Sequence, residues 1–186
     1  RRVLFRSVVT DVCASGCYYV VSAADDIYVN NSSIVGSIGV RMDSFGFVDT
    51  IQKLGIERRL YTAGESKGFL DPFTPSNPAD VEHVEMLLES IHKEFITAVK
   101  TGRGERLKEN GKLFTGLVWT GEESLQMGLA DNVGSAGYVA REVIGEEDIV
   151  EFTEKPELWE KLSERIGTAM AKGMGELFAV GSGTVR

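Results

Sequence analysis

Histidine is scarce in this chain: His83 and His92 are the only two. Both fall off the apolar stripe of one predicted helix, so they are expected to be solvated surface residues. A Ser-His-Asp triad, or a cysteine nucleophile with a histidine base, is therefore poorly served. Cysteine is equally scarce, with Cys13 and Cys17 alone. If both lay on one helix they would be neighbours, but helical geometry suits a disulfide poorly, and two small buried hydrophobes are expected. No ligand cluster accompanies them, so no metal site is expected. No apolar run approaches the roughly 20 residues needed to span a bilayer. Positive charge is also short: 20 Lys and Arg stand against 28 Asp and Glu, a net charge of −8. That removes the electrostatic footprint of a nucleic-acid binder. Arg1-Arg2-Val3-Leu4-Phe5-Arg6-Ser7 is basic but precedes no apolar h-region, so it does not read as a signal peptide.

What is present is enough for one sizeable core, in 186 residues of which 42% are hydrophobic and 26% charged. Strand and helix signals alternate through the first third. Residues 8–12 read as a strand, 14–24 as a helix and 27–29 as a strand, with Asn30-Asn31-Ser32-Ser33 as a turn. Residues 34–40 read as extended, interrupted by Gly36 and Gly39, which suggest close backbone approach. Residues 43–54 read as a helix stopped by Gly55, and 59–62 as the next strand. Such alternation argues for parallel strands with helical crossovers.

Residues 63–78 form a long irregular stretch with three prolines, the kind of loop that is functional or disordered. The clearest helix follows. Asn77 can cap it, Pro78 suits its first turn, and Val81, Val84, Leu88, Ile91, Phe95 and Val99 recur at helical spacing until Gly102 and Gly104. A short helix carries Leu125 and Met127, 130–134 returns extended, 138–144 reads as a helix and 149–152 as a last strand. Residues 156–178 are amphipathic but weakened by three glycines, so that helix should need a docking surface. The expected division is a core over 8–134 and an α/β extension over 135–180, with 1–7 and 181–186 set apart as non-native or disordered ends.

Ser15 is the residue around which these elements are organised. It lies in Ala14-Ser15-Gly16, between a strand and a helix, where free helical N–H groups can point at a reacting oxygen. A small residue there is also an ordinary helix cap. As a nucleophile it would need a base, and a lysine desolvated in a semi-buried loop can lose its proton and serve. Lys67, in the irregular stretch, is the candidate. A P-loop reading of Gly64-Glu65-Ser66-Lys67-Gly68 fails because the glycine spacing before the lysine is absent. No G-x-S-x-G elbow surrounds Ser15.

A series of motifs resembles the signal peptide peptidase A family, peptidase family S49, in its short form. It begins with Asp11-Val12-Cys13-Ala14-Ser15-Gly16-Cys17-Tyr18-Tyr19, Ala23-Ala24-Asp25 and Gly36-Ser37-Ile38-Gly39-Val40. It continues through Lys53-Leu54-Gly55, Thr62-Ala63-Gly64 to Lys67, Asp71-Pro72-Phe73, Gly102-Arg103-Gly104, Phe114-Thr115-Gly116 and Met127-Gly128-Leu129-Ala130-Asp131. These fall in the family's order over residues 8–134.

The resemblance implies an α/β fold of the crotonase and Clp-protease type, with its N-terminal part missing here and a C-terminal helical extension. It implies a serine protease with Ser15 as nucleophile and Lys67 as general base, 67 − 15 = 52 residues later. Ser37 would orient the lysine amine and the Gly16 N–H would supply half of the oxyanion hole. The other half belongs to an upstream glycine-rich turn that this chain lacks, so the fragment alone is expected to be inactive. Two departures stand out: Cys17 replaces the usual second glycine, and Val35 replaces a common threonine. The implied substrates are signal peptides and other membrane-released or unfolded peptides, with no cofactor, no metal and no nucleic acid. A homo-oligomer is implied, with attachment to the bacterial cytoplasmic membrane through a segment absent from this chain and the catalytic domain extracytoplasmic. The alternatives are a non-catalytic oligomeric scaffold of the same fold and a crotonase-type acyl-CoA hydratase or isomerase.

Overall fold

The computed structural model describes residues 4–153. The chain forms two compact units that divide between Glu147 and Asp148. In the first, the apolar run expected as one strand is two. Strand β1 (Arg6–Val9) and strand β2 (Val12–Ala14) are separated by a bend at Thr10 and Asp11 and belong to different sheets. The bend is held because Asn30 Nδ2 donates to Thr10 O and the Ser33 hydroxyl donates to Val9 O. One break in the chain thus sends the segment that carries Ser15 out of the first sheet and into the second.

Strand β3 (Asp26–Val29) pairs in parallel with β1, and strand β6 (Asn132–Val133) pairs in parallel with β3. In the second sheet β2 pairs in parallel with strand β4 (Ile34–Gly36), and strand β5 (Val118–Thr120) lies antiparallel on β4. The molecule is therefore α/β with parallel strands and helices, but β5 departs from the all-parallel expectation. Three residues are too few to display a strand period, so the pairing of Val35 with Trp119 is invisible in the sequence. The strand expected over 59–62 is absent, and its residues are exposed coil.

Helix α1 (Gly16–Val21) is shorter than expected because Ala14 is still in β2. Helix α2 (Val48–Lys53) takes only the second half of 43–54 and leaves Leu54 68% exposed, so its apolar face lacks the core contact its pattern predicted. Helix α3 (Pro78–Arg103) starts where Asn77 Oδ1 accepts from the Ala79 amide, as its cap signal predicted. Of its stripe, Phe95 and Val99 are buried, whereas Val81 and Ile91 are exposed. Gly104 caps α3 as expected, whereas Gly102 lies within its last turn, where any Cβ would run into the Ser22 carbonyl at the end of α1. His92 corrects the surface reading: it is half-buried, and Ile38 O accepts from its Nε2 at 3.1 Å. His83 is exposed, edge-on to Phe69.

The core gathers Tyr18, Ile27, Val29, Val35, Val99 and Leu129 from both sheets, α1 and α3. A polar lock runs through it. The Arg103 side chain, wholly buried, donates from Nε to Gly128 O and from both Nη atoms to Asp131, at 3.0 and 2.6 Å. Asp131 also accepts from the Ile27 amide. Tyr18 Oη donates to Leu129 O at 2.8 Å, and burial, its main influence, pushes the phenol well above the usual tyrosine range. Helix α1 is thus tied to the same segment that α3 grips, three residues beyond Ser15.

Helix α4 (Gly121–Gln126) opens with a reciprocal cap between Thr120 and Glu123. Helix α5 (Ala136–Tyr138) runs on into a wider helical turn, Val139–Ile144, in keeping with the helix expected there. In the second unit, residues 149–152 are exposed and form no strand, contrary to expectation. The helix expected over 156–178 lies outside the described residues. Among the described residues no helix is long and apolar enough to cross a membrane.

Candidate active site

Ser15 stands at the corner between β2 and α1. Its amide donates to Gly36 O at 2.8 Å, and its carbonyl accepts from Tyr19 N at 2.9 Å, the first bond of the helix. Between these two anchors Ser15 takes φ 54°, ψ −121°. A side-chain-bearing residue with positive φ is uncommon and costs on the order of 1–3 kcal/mol, which the flanking bonds hold in place. Its hydroxyl makes no capping bond to the helix. The ordinary reading of a serine before a helix is therefore not what this serine does.

Ser37 also has a positive φ, 52°, with its amide donating to Leu117 O at 2.7 Å. Gly36 before it has φ +97°, and a Cβ there would meet the Trp119 ring at 2.8 Å, so only glycine fits this corner. The two strained serines lie on neighbouring parallel strand ends, β2 and β4, and both line one cavity of about 1080 Å³. Gly16 lines it too, with Tyr19 of α1 and Ile91, Glu94 and Phe95 of α3 forming the facing wall. Tyr19 meets Phe95 edge-on at 5.3 Å, which gives that wall an aromatic floor. Arg41, on the same rim, is held by Asp43 at 2.6 Å.

Lys67 lies apart from them. It sits on an exposed series of turns between Gly64 and Leu70, its amide donating to Gly64 O at 3.2 Å, and it is outside the cavity lining. The fold thus gathers Ser15, Gly16 and Ser37 around one cavity and leaves Lys67 at the surface. The wall residues Tyr19, Ile91, Glu94 and Phe95 are not singled out by the sequence as site residues. Ile91 and Phe95 carry a signal that could have found them, four residues apart on the α3 stripe.

The cysteine expectation is overturned. Cys13 and Cys17 form a disulfide with a Cα–Cα separation of 5.0 Å. They do not share a helix: Cys13 is in β2, Cys17 in the first turn of α1, and the turn at Ser15 brings their side chains together. Only Cys13 is buried, at 3% exposure; Cys17 is at the surface. Among the described residues no group of histidine, cysteine and acidic side chains could hold a metal ion.

Comparison with known proteins identifies the lineage. The family model for peptidase family S49 matches residues 6–149. A Brucella abortus protein named "Na(+)/H(+) antiporter NhaA" is 46% identical over 138 residues, covering 74% of this chain and 19% of its own length. "Putative protease MJ0651" of Methanocaldococcus jannaschii is 31% identical over 170 residues, 88% of this chain and 55% of its own. "Serine protease SPPA, chloroplastic" of Arabidopsis thaliana is 29% identical over 126 residues, 67% of this chain and 19% of its own. The chain spans about a fifth of the bacterial relative and about half of the archaeal one. The match touches only a small part of that longer bacterial protein. By the family match over most of its length, the chain belongs to peptidase family S49, a family of serine proteases.

Proposed function

We propose that this chain is the catalytic portion of a serine endopeptidase in which Ser15 is the nucleophile and Lys67 the general base. The observation that carries the reading is the meeting of Ser15, Gly16 and Ser37, two of them strained serines, around one cavity. Backbone strain of this kind collects at working sites, where the surroundings must hold it. Lys67 takes the Ser15 proton while Oγ attacks a peptide carbonyl. The Gly16 N–H and a second donor, from a glycine-rich turn outside the described residues, hold the tetrahedral oxyanion. Lys67 then protonates the leaving amine, and water releases the acyl group by the same route. Ser37 orients the lysine amine. Lys67 completes this dyad once its exposed turn meets the cavity in the assembled protein.

The same reading gives the fold the crotonase and Clp-protease architecture and makes the working form a homo-oligomer. Its substrates are signal peptides and other membrane-released or unfolded peptides, which the aromatic wall of Tyr19 and Phe95 suits. Attachment to the bacterial cytoplasmic membrane, with the catalytic domain extracytoplasmic, comes through a segment other than the described residues. The test is to treat the full-length protein with a fluorophosphonate and map the adduct by mass spectrometry. An adduct on Ser15 that Ser15→Ala and Lys67→Ala both abolish is the expected result. A protein that assembles and never reacts overturns the reading in favour of a scaffold.

A further inference from the structure

The Cys13–Cys17 disulfide closes a five-residue ring, Cys13-Ala14-Ser15-Gly16-Cys17, with Ser15 at its centre. One anchor of the ring is the buried Cys13 of strand β2, which pairs with β4; the other is Cys17 in the first turn of α1. Inside the ring lie the strained Ser15 backbone and the Gly16 N–H, both on the rim of the large cavity. Outside it, the tyrosine that follows is clamped by its bond to Leu129 O. A covalent bond from the core residue Cys13 to the surface Cys17 therefore closes this part of the turn.

We propose that Cys13–Cys17 is a redox-active strap on the nucleophile turn, which keeps Ser15 in its reactive backbone geometry when oxidised and releases it when reduced. The inference rests on the reading of Ser15 as nucleophile. A short covalent ring removes conformations in which a positive-φ serine relaxes to negative φ. Without it, only the two flanking bonds, Ser15 N to Gly36 O and Tyr19 N to Ser15 O, oppose that relaxation. Access is one-sided. Cys17 is exposed and Cys13 buried, so a small thiol reaches the Cys17 sulfur. The attacking thiolate forms a bond to that sulfur, the Cys13–Cys17 bond breaks, and Cys13 leaves with the electron pair and takes a proton. A second small thiol resolves the mixed disulfide. Two electrons pass from the two small thiols, now joined as a disulfide, to the two cysteines, now thiols.

The experiment measures the rate of fluorophosphonate labelling of Ser15 in the full-length protein, oxidised and after a small thiol reductant. A mass-tagged maleimide counts free thiols in each sample. Labelling should slow about tenfold as two thiols appear, and recover on reoxidation. The Cys13→Ser/Cys17→Ser double variant should label at the slow rate whatever the reductant, with an unchanged circular dichroism spectrum. Equal or faster labelling after two thiols are shown overturns the strap and leaves the reading of Ser15 standing. So does a protein whose cysteines stay free under mild oxidant. Absence of Ser15 labelling in every state overturns both.

Discussion

The amide of Ser15 donates to the carbonyl of Gly36 at 2.8 Å, one residue before Ser37. This single bond continues the β2–β4 ladder past its last paired residues, Ala14 and Gly36. It sets the two positive-φ serines side by side, so what disturbs Gly36 also disturbs Ser15.

Gly36→Ala is expected to destabilise the protein by about 2 kcal/mol, because alanine is strained at φ +97° and its methyl meets the Trp119 ring. Chemical denaturation measures the loss. Labelling of Ser15 should slow in the same variant under conditions where it remains folded.

If Lys67 reaches Ser15 across copies of the chain, two inactive variants should rescue each other. Mixed and reassembled Ser15→Ala and Lys67→Ala proteins are expected to recover about a quarter of the wild-type activity, since half the serines are intact and half of those meet an intact lysine. The exposed position of Lys67, outside the cavity lining, motivates the test. A mixture that stays inactive would assign the base to the same copy.

Asp131 makes stability depend on acid. Burial pushes its carboxyl up, but the Arg103 hydrogen bonds, the Ile27 amide and the charges of Arg103 and Arg106 outweigh that and hold it below its ordinary value. With the folded value depressed, this stability is present above the unfolded carboxyl's pKa of about 3.9 and disappears as pH falls through the folded value. The melting temperature should therefore stay level from neutral pH to about 5 and fall below about 4. Asp131→Asn should remove that part of the fall and cost about 3 kcal/mol at neutral pH, because the buried Arg103 loses its counter-charge.

Tyr18→Phe leaves the Leu129 carbonyl without its donor inside the core. A loss of about 1–2 kcal/mol is expected in thermal or chemical unfolding. Because Tyr18 is the anchor of α1 just past the ring, Ser15 labelling should be more sensitive to reductant in this variant than in wild type.

Much of the fold is legible in the sequence. The cap at Asn77 and the Phe95–Val99 stripe announce α3, since a long helix repeats its period often enough to be read. The order of motifs from Asp11 to Asp131 points to the family, and glycines at 36 and 39 mark the close approach beside the site. Ser15 is recognisable as the corner of a strand and a helix.

What the sequence by itself determined was the local material: apolar periods, caps, and a serine and a lysine of the right chemistry 67 − 15 = 52 residues apart. Only the tertiary structure decided which of these meet. Elements as short as β5, the bend at Thr10 that splits one apparent strand into two, and the half-burial of His92 depend on partners distant in sequence. The opposite fates of Leu54 and Phe95, one exposed and one buried, follow from where the core lies and not from their helical pattern. The cysteines make the same point most sharply. Their spacing of four read as two small buried hydrophobes, and the positive φ of Ser15 between them turned that spacing into a covalent ring around Ser15.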